Sequence, residues 1–420
     1  MLQLPEIQAL RTLDRDGRLL FATRIVRMFA YGFLSVVLAL YLKGLGLDDV
    51  QVGVVLTATL AGDVVISLAI TNVADRVGRR RMLLIGAGLM VLAGVIFALT
   101  SNIFLLVITA IIGTISPSGN EVGPFLPIEQ AALSQRLADT QRTAAFAWYS
   151  LIGSVATAFG ALAGGVLSEV LQSDGMSELN SYRVVLIGYG LIGVVLAVMF
   201  TRLSAAVELP PSATGQAPIR TRFGLHRSQG IVLRLSLLFV IDAFAGGLVV
   251  QALVAEWFNR RYGFNLAQIG GIFFGTNLLA GLSALAAARI AGRIGLINTM
   301  VLTHVPSNIL LLMVPLMPTP TLAILCLLAR FSISQMDVPT RQSYTMAVVA
   351  PDERSAASGI TNIARTAATS LSFPVTGGFF SVGLLSAPFL LAGGLKLIYD
   401  FALLRQFSAI KPPEEQLPAK

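Results

Sequence analysis

A chain of 420 residues that is 55% hydrophobic and only 12% charged carries about half the charge of a soluble domain, where about 25% is usual. That excludes an ordinary water-soluble enzyme or binding domain and points to a surface that faces lipid. The net charge of +8 does not indicate nucleic acid, because the basic residues sit in short blocks between apolar stretches.

The first twenty residues, MLQLPEIQAL RTLDRDGRLL, are polar and lack the apolar core of a signal peptide, so the first span is expected to direct insertion. Apolar windows then fall near 19–43, 50–73, 82–100, 103–132, 143–171, 182–203, 231–257, 266–290, 296–317, 320–346, 355–380 and 383–404. Each is long enough for the roughly 20 residues that a helix needs to cross a bilayer. In lipid the backbone must pair within its own segment, so the windows are expected to be helices. The windows at 103–132, 143–171 and 320–346 exceed the bilayer and imply tilt or extension into the cytoplasm. Cys326 lies in an apolar run as the single cysteine, so it reads as a small buried hydrophobe with no disulfide partner.

Lys and Arg cluster at 11–18, 76–81, 202–227 and 289–293, whereas the alternate loops hold only Lys43, Arg183, Arg260 and Arg261. The positive-inside rule then puts both termini in the cytoplasm of a plasma or inner membrane. The longest polar stretch, ELPPSATGQAPIRTRFGLHRSQ at 208–229, separates six windows from six more and reads as a linker. His226 within it reads as solvated, and His304 in the ninth window as a packed core histidine. The fold class expected is an all-α polytopic membrane protein with 12 transmembrane helices, arranged as two pseudo-symmetric six-helix bundles at 1–207 and 230–420 joined by a cytoplasmic linker at 208–229.

An internal repeat supports that division. Gly46, Gln51 and Gly53 recur as Gly263, Gln268 and Gly270, 217 positions later, and Arg76 and Gly78 recur as Arg293 and Gly295 at the same offset. Further along, Pro127-Ile128-Glu129-Gln130 matches Pro339-Thr340-Arg341-Gln342 at 212, and Gly164-Gly165 matches Gly377-Gly378 at 213. Parallel six-helix halves of this kind are a transporter architecture, with the solute site expected at their interface.

The loop after the second window reads Thr71-Asn-Val-Ala-Asp75-Arg76-Val-Gly78-Arg79-Arg80-Arg81. Gly78 permits a tight turn, the arginines hold the loop in the cytoplasm, and Asp75 is placed to pair with them or to cap a helix. The block strongly resembles the GxxxDRxGRR signature of the major facilitator superfamily, with Thr71 where the family has glycine. The resemblance implies that Asp75, Arg76, Gly78, Arg79 and Arg80 belong to a cytoplasmic gate. The fifth window contains Gly160-Ala161-Leu-Ala-Gly164-Gly165, which is similar to the GPxxGG motif of drug:proton antiporters in the same superfamily, with Ala161 in place of proline. That likeness implies export, and close helix packing by small residues explains the same pattern.

Ionisable groups inside a membrane are costly and read as functional by default. Asp63 lies in the second window, Glu121 in the fourth after Ser116-Pro-Ser-Gly-Asn120, Asp242 in the seventh, Arg330 and Asp337 in the tenth, and Arg365 in the eleventh. Lys396 and Asp400 in the twelfth are four apart and are expected to neutralise each other. Glu121 has no basic neighbour on its own helix, which makes it the first proton-coupling candidate, with Asp63 and Asp337 beside it. Arg330, Arg365, Asp242 and Asn362 are the solute-cavity candidates. Glu129 and Arg341 occupy equivalent positions with opposite charge, and are expected to pair when the cytoplasmic side is closed. Arg24 and Arg27 are expected to snorkel toward the cytoplasm.

These readings converge on a secondary transporter that moves a small organic solute by alternating access, with proton-coupled efflux as the leading form. A proton-coupled importer of an organic anion is the alternative, and a non-transporting membrane sensor is the alternative of another class. Sodium stays open as the coupling ion. No catalytic constellation, metal-ligand spacing or nucleotide loop is present in the sequence, so no enzyme, cofactor or metal is expected. The expected partners are the solute, protons and lipid, not nucleic acid, around a monomer.

Overall fold

A backbone immersed in lipid must bond to itself, and the regular elements of this chain are helices, with no strand among the described residues. The structure is a computed structural model that describes residues 13–121, 124–134, 139–208, 225, 227–349 and 353–410, with backbone alone at 67–76, 127, 130, 131, 134, 139–144, 146, 147, 288, 354–356 and 358. In the first half the helices are α1 (Arg15–Ser35), α2 (Leu38–Gly44), α3 (Asp49–Val77), α4 (Arg79–Leu99), α5 (Ile103–Ile112), α6 (Phe125–Ser134), α7 (Asp139–Ser173) and α8 (Glu178–Thr201). The second half continues with α9 (Gln229–Gly247), α10 (Gln251–Tyr262), α11 (Leu266–Ile294), α12 (Leu296–Met313), α13 (Pro320–Ser334), α14 (Asp337–Ala347), α15 (Arg354–Ser381) and α16 (Ala387–Phe407).

Among the described residues, nine spans are long and apolar enough to cross a bilayer, ten when α1 and α2, bent by 42°, count as one. Three of the twelve expected windows differ for physical reasons. The window at 103–132 is not continuous: Pro117 has no amide hydrogen and Gly119 has φ +69°, so the chain leaves helical geometry between α5 and α6. The window at 355–380 does form a helix, α15, but Thr361, Asn362, Arg365, Thr369, Ser372 and Thr376 make it too polar for a simple lipid-facing span. The long tenth window also breaks, at residues 335–336 between α13 and α14. Large apolar side chains such as Leu99, Phe104, Leu191, Leu233, Leu371 and Phe401 are exposed on the helices, as a lipid-facing surface requires.

The repeat is visible in local chemistry. Asp48 and Gln51 form a reciprocal cap, in which the Gln51 amide hydrogen goes to Asp48 Oδ1 (2.8 Å) and the Asp48 amide hydrogen to Gln51 Oε1 (3.0 Å). The same cap recurs 217 residues later, from Gln268 to Asn265 Oδ1 at 2.9 Å and from Asn265 to Gln268 Oε1 at 3.0 Å. Gly46 and Gly263 precede the two caps with φ of +89° and +65°, and Gly78 and Gly295 start the next helix of each half with φ of +113° and +86°.

The chain divides into two compact units, residues 1–216 with 251–277, and residues 217–250 with 278–420. By sequence position the segment 251–277 belongs to the second half, yet it is bonded into the first unit. The Ala252 amide donates to the Pro117 carbonyl (3.1 Å), and the Gln251 side-chain amide donates to Ser35 Oγ (2.8 Å). A Cβ on Gly165 would overlap the Leu266 carbonyl, and one on Gly270 would lie 2.7 Å from the Ala161 carbonyl, so these glycines set the close crossing of α7 and α11.

Gly263→Ala should lower the unfolding free energy by about 1–2 kcal/mol, because its positive φ penalises a Cβ that has nothing within 4 Å to strike. Gly271→Ala, in open space inside α11, should be neutral or stabilising. Detergent-solubilised unfolding curves compare the two, and equal effects would contradict the assignment.

Candidate functional site

In the first unit the chemistry gathers on α1. Arg27 has 0% exposure and grips Glu129, also 0% exposed, with two parallel bonds of 2.7 Å. Its third nitrogen donates to Glu121 Oε1 at 2.8 Å. Arg24 bonds the other oxygen of Glu121, donates to the Tyr149 carbonyl at 3.1 Å, and stacks 4.5 Å over the Tyr149 ring. The Tyr149 hydroxyl donates to Glu129, as does the Thr23 hydroxyl at 3.0 Å. Two arginines and two glutamates thus balance one another, with Glu121 the more accessible acid at 13% side-chain exposure.

These contacts correct two expectations. Arg24 and Arg27 do not snorkel; a turn apart on α1, they reach inward to carboxylates on the broken fourth window. Glu121 is not an uncompensated acid, because its partners come from another helix. Asp63 is half-buried on α3.

The second unit centres on a carboxylate. Asp242, 3% exposed, receives Lys396 Nζ at 2.5 Å on one oxygen, and Arg365 at 2.9 Å and Arg341 at 3.4 Å on the other. Arg341 also donates to Asp337 at 2.7 Å, one turn away on α14. His304 Nδ1 lies 2.7 Å from Asp400 Oδ1 and its Nε2 lies 3.9 Å from Asp242. The Asn308 side-chain amide donates to the second oxygen of Asp400 at 2.8 Å. Lys396 and Asp400 therefore do not neutralise each other as expected; each has its own partner across a helix boundary. His304 is likewise part of the charge network and not a packed core residue. Glu129 and Arg341 each have ion pairs inside their own unit, Glu129 with Arg27, and Arg341 with Asp242 and Asp337.

Arg330 is the exception. It is 9% exposed and makes no hydrogen bond or ion pair among the described residues; its guanidinium stacks on Phe331 at 4.8 Å and its Nε is unsatisfied. Four cations, Arg330, Arg341, Arg365 and Lys396, thus face three carboxylates, Asp242, Asp337 and Asp400. Asn362 is exposed on α15.

A third cluster ties α10 into the first unit. Asp49 accepts from Lys43 (2.6 Å) and from both terminal nitrogens of Arg260, one at 3.1 Å, while Arg260 also pairs with Glu256 at 2.6 Å. Sequence reasoning missed this cluster; the Glu256–Arg260 spacing of four on a helix was its one local signal.

Of the expected gate, the side chains of Asp75 and Arg76 lie outside the described residues. Gly78 makes the turn, and the backbone amides of Arg79 and Arg80 donate to the carboxylate of Glu208 at 2.6 and 3.1 Å, which caps α4. A matching carboxylate, Glu353, accepts from the amides of Arg227 and Ser228 at 2.7 and 2.9 Å just before α9.

The sequence profile of the Major Facilitator Superfamily matches residues 20–373. An uncharacterized membrane protein of Saccharomyces cerevisiae, YJR124C, is 27% identical over 425 residues, covering 94% of this chain and 95% of that one. Among solved structures, the nucleoside transporter NupG aligns with a TM-score of 0.71 at 15% identity, covering 94% of this chain and 99% of NupG. A D-xylose-proton symporter aligns at 0.70 and 15% identity, covering 92% and 96%. The human organic anion transporter MFSD10 aligns at 0.64 and 15% identity, covering 96% and 100%. At such identities the structural likeness shows the fold.

Arg27→Met should destabilise the chain by about 3–5 kcal/mol, since it strands two buried carboxylates. Removing the acid as well, in Arg27→Met/Glu129→Leu, should recover part of that loss. Unfolding free energies in detergent measure both, and a double variant no better than the single one would contradict the pairing.

Proposed function

The chain belongs to the major facilitator superfamily, and on that premise we propose that it moves a small organic anion across its membrane by alternating access, together with protons. Membership makes it a secondary transporter, not an enzyme. The observation that carries the finer reading is the charge imbalance of the second unit, where Arg330 is buried without an ion pair among the described residues. A guanidinium in that condition is expensive unless something binds it, and its planar fork suits a carboxylate or similar oxyanion. The similar structures carry small polar cargo by their names, nucleosides, xylose with protons and organic anions, which is consistent with a solute of that size.

Arg330 and Arg365 would hold the anionic group, with Asp242 and the exposed Asn362 beside it. Proton binding belongs to the carboxylates these centres contain, Glu121 and Asp337 among them, with Asp63 on α3 as a further acceptor. The Gly78–Arg80 turn, held by Glu208, would serve the cytoplasmic gate with Asp75, Arg76, Glu129 and Arg341. We place the protein as a monomer in a plasma or inner membrane, with both termini in the cytoplasm.

Export by proton antiport is the second reading, favoured by Gly160, Gly164 and Gly165. Those glycines are committed here to close helix crossings, because a Cβ on any of them would overlap a backbone carbonyl of Phe29, Phe33 or Leu266. That packing accounts for the motif without assigning a direction.

Reconstituted vesicles with an imposed pH gradient and a panel of radiolabelled carboxylates test the proposal. Acid outside should drive accumulation, and a protonophore should stop it; accumulation that survives collapse of the gradient would contradict proton coupling. Arg330→Gln should raise the half-saturation concentration by about tenfold or more, the loss of a charge-assisted contact. Unchanged saturation would remove Arg330 from the solute site.

A further inference from the structure

We propose that His304 relays a proton from Asp400 to Asp242, and that neutralising Asp242 releases Lys396 and Arg365 to take the anionic group of the solute. The inference deepens the anion reading above and rests on it for the identity of the cargo class.

The geometry is that of an imidazole held between two carboxylates. His304 is buried on α12, with Nδ1 2.7 Å from Asp400 on α16 and Nε2 3.9 Å from Asp242 on α9. Asn308, one turn along α12, donates to the far oxygen of Asp400 at 2.8 Å and lies 3.3 Å from His304 Nδ1. The Tyr399 ring meets the imidazole edge to face at 6.0 Å and 90°. These contacts fix the ring so that its two nitrogens address different acids. Packing alone would not require that.

The step balances as one proton in and one proton out of the ring. The O–H bond of protonated Asp400 breaks as an N–H bond forms at Nδ1. The N–H bond at Nε2 breaks as an O–H bond forms at Asp242 Oδ1. The ring ends neutral with its hydrogen on the other nitrogen, and the negative charge has passed from Asp242 to Asp400. The 3.9 Å gap must close by about 1 Å for the second transfer, within the range of ordinary hydrogen bonds.

The consequence lies with the cations. While ionised, Asp242 occupies donors of Lys396, Arg365 and Arg341, the charges facing it from α16, α15 and α14. It acts as an internal stand-in for the cargo. Once Asp242 is neutral, Arg341 keeps Asp337, but Lys396 and Arg365 have no other carboxylate partner among the described residues. An incoming anion then replaces the lost charge, so proton and anion load together.

Two measurements on the purified full chain test this without transport. The chain has two histidines, so a His226→Gln background leaves His304 as the remaining imidazole. Infrared difference spectra on acidification should show a protonated-carboxyl band that disappears in Asp242→Asn. In His304→Gln that band should form more slowly after a pH jump. The second measurement is calorimetric binding of methanesulfonate, an anion whose own charge does not change on acidification. Its binding should be acid-dependent in the parent and pH-independent in Asp242→Asn, with about tenfold tighter affinity at the alkaline end, a usual size for coupling between two bound species.

Should Asp242→Asn fail to fold, Asp242→Asn/Lys396→Gln removes a cation along with the acid and carries the comparison of pH dependence, with Arg365 left to bind the anion. A carboxyl band with unchanged kinetics in His304→Gln overturns the relay. Anion binding equally acid-dependent without Asp242 overturns the release of the cations. If both measurements come out as expected while vesicles accumulate no organic anion, the transport reading fails and the proton chemistry stands.

Discussion

Compensation of buried charge governs this structure. A charged side chain inside a membrane protein survives only with partners close enough to replace water, and Arg27 shows how fully that is met: three of its nitrogens contact Glu121 and Glu129. The second unit solves the same problem with the signs reversed. There a carboxylate, Asp242, 215 positions after Arg27, is the hub, and three cations surround it. Glu129 and Arg341, equivalent in the repeat and opposite in charge, are the respective partners of the two hubs.

The two centres differ in one physical respect. In the first unit two cations meet two acids, and the balance favours a stable internal network. In the second unit the positive groups outnumber the acids and share them, with Asp242 divided among three donors and Arg330 left over. A partly satisfied buried network carries a cost that an incoming ion can relieve. That is the property a transport site needs, and it explains why the finer functional reading rests on the second unit.

Local features were legible in the sequence. The apolar windows became helices, and the repeat that began as matching letters became paired capping boxes at Asp48–Gln51 and Asn265–Gln268 and paired positive-φ glycines, since each depends on residues a few positions apart. Partnerships across helices were not legible. Arg27 meets Glu121 and Glu129 over 94 and 102 positions, and Lys396 meets Asp242 over 154. Spacing on one helix even misled, pairing Lys396 with Asp400 and leaving His304 as core. Breaks within windows were partly visible, because Pro117 and Gly119 signal one directly, whereas the polarity of α15 matters only when summed over the helix.

The most direct test of the central claim is the proton movement that an anion itself causes. Liposomes containing the protein and a lumenal pH dye should acidify inside when a transported carboxylate or sulfonate is added outside. The matching neutral amide should have no effect, and protein-free liposomes should correct for passive weak-acid entry. Entry of labelled anion with no change in lumenal pH, or equal transport of anion and amide, would contradict a site in which cargo charge and proton are bound as one.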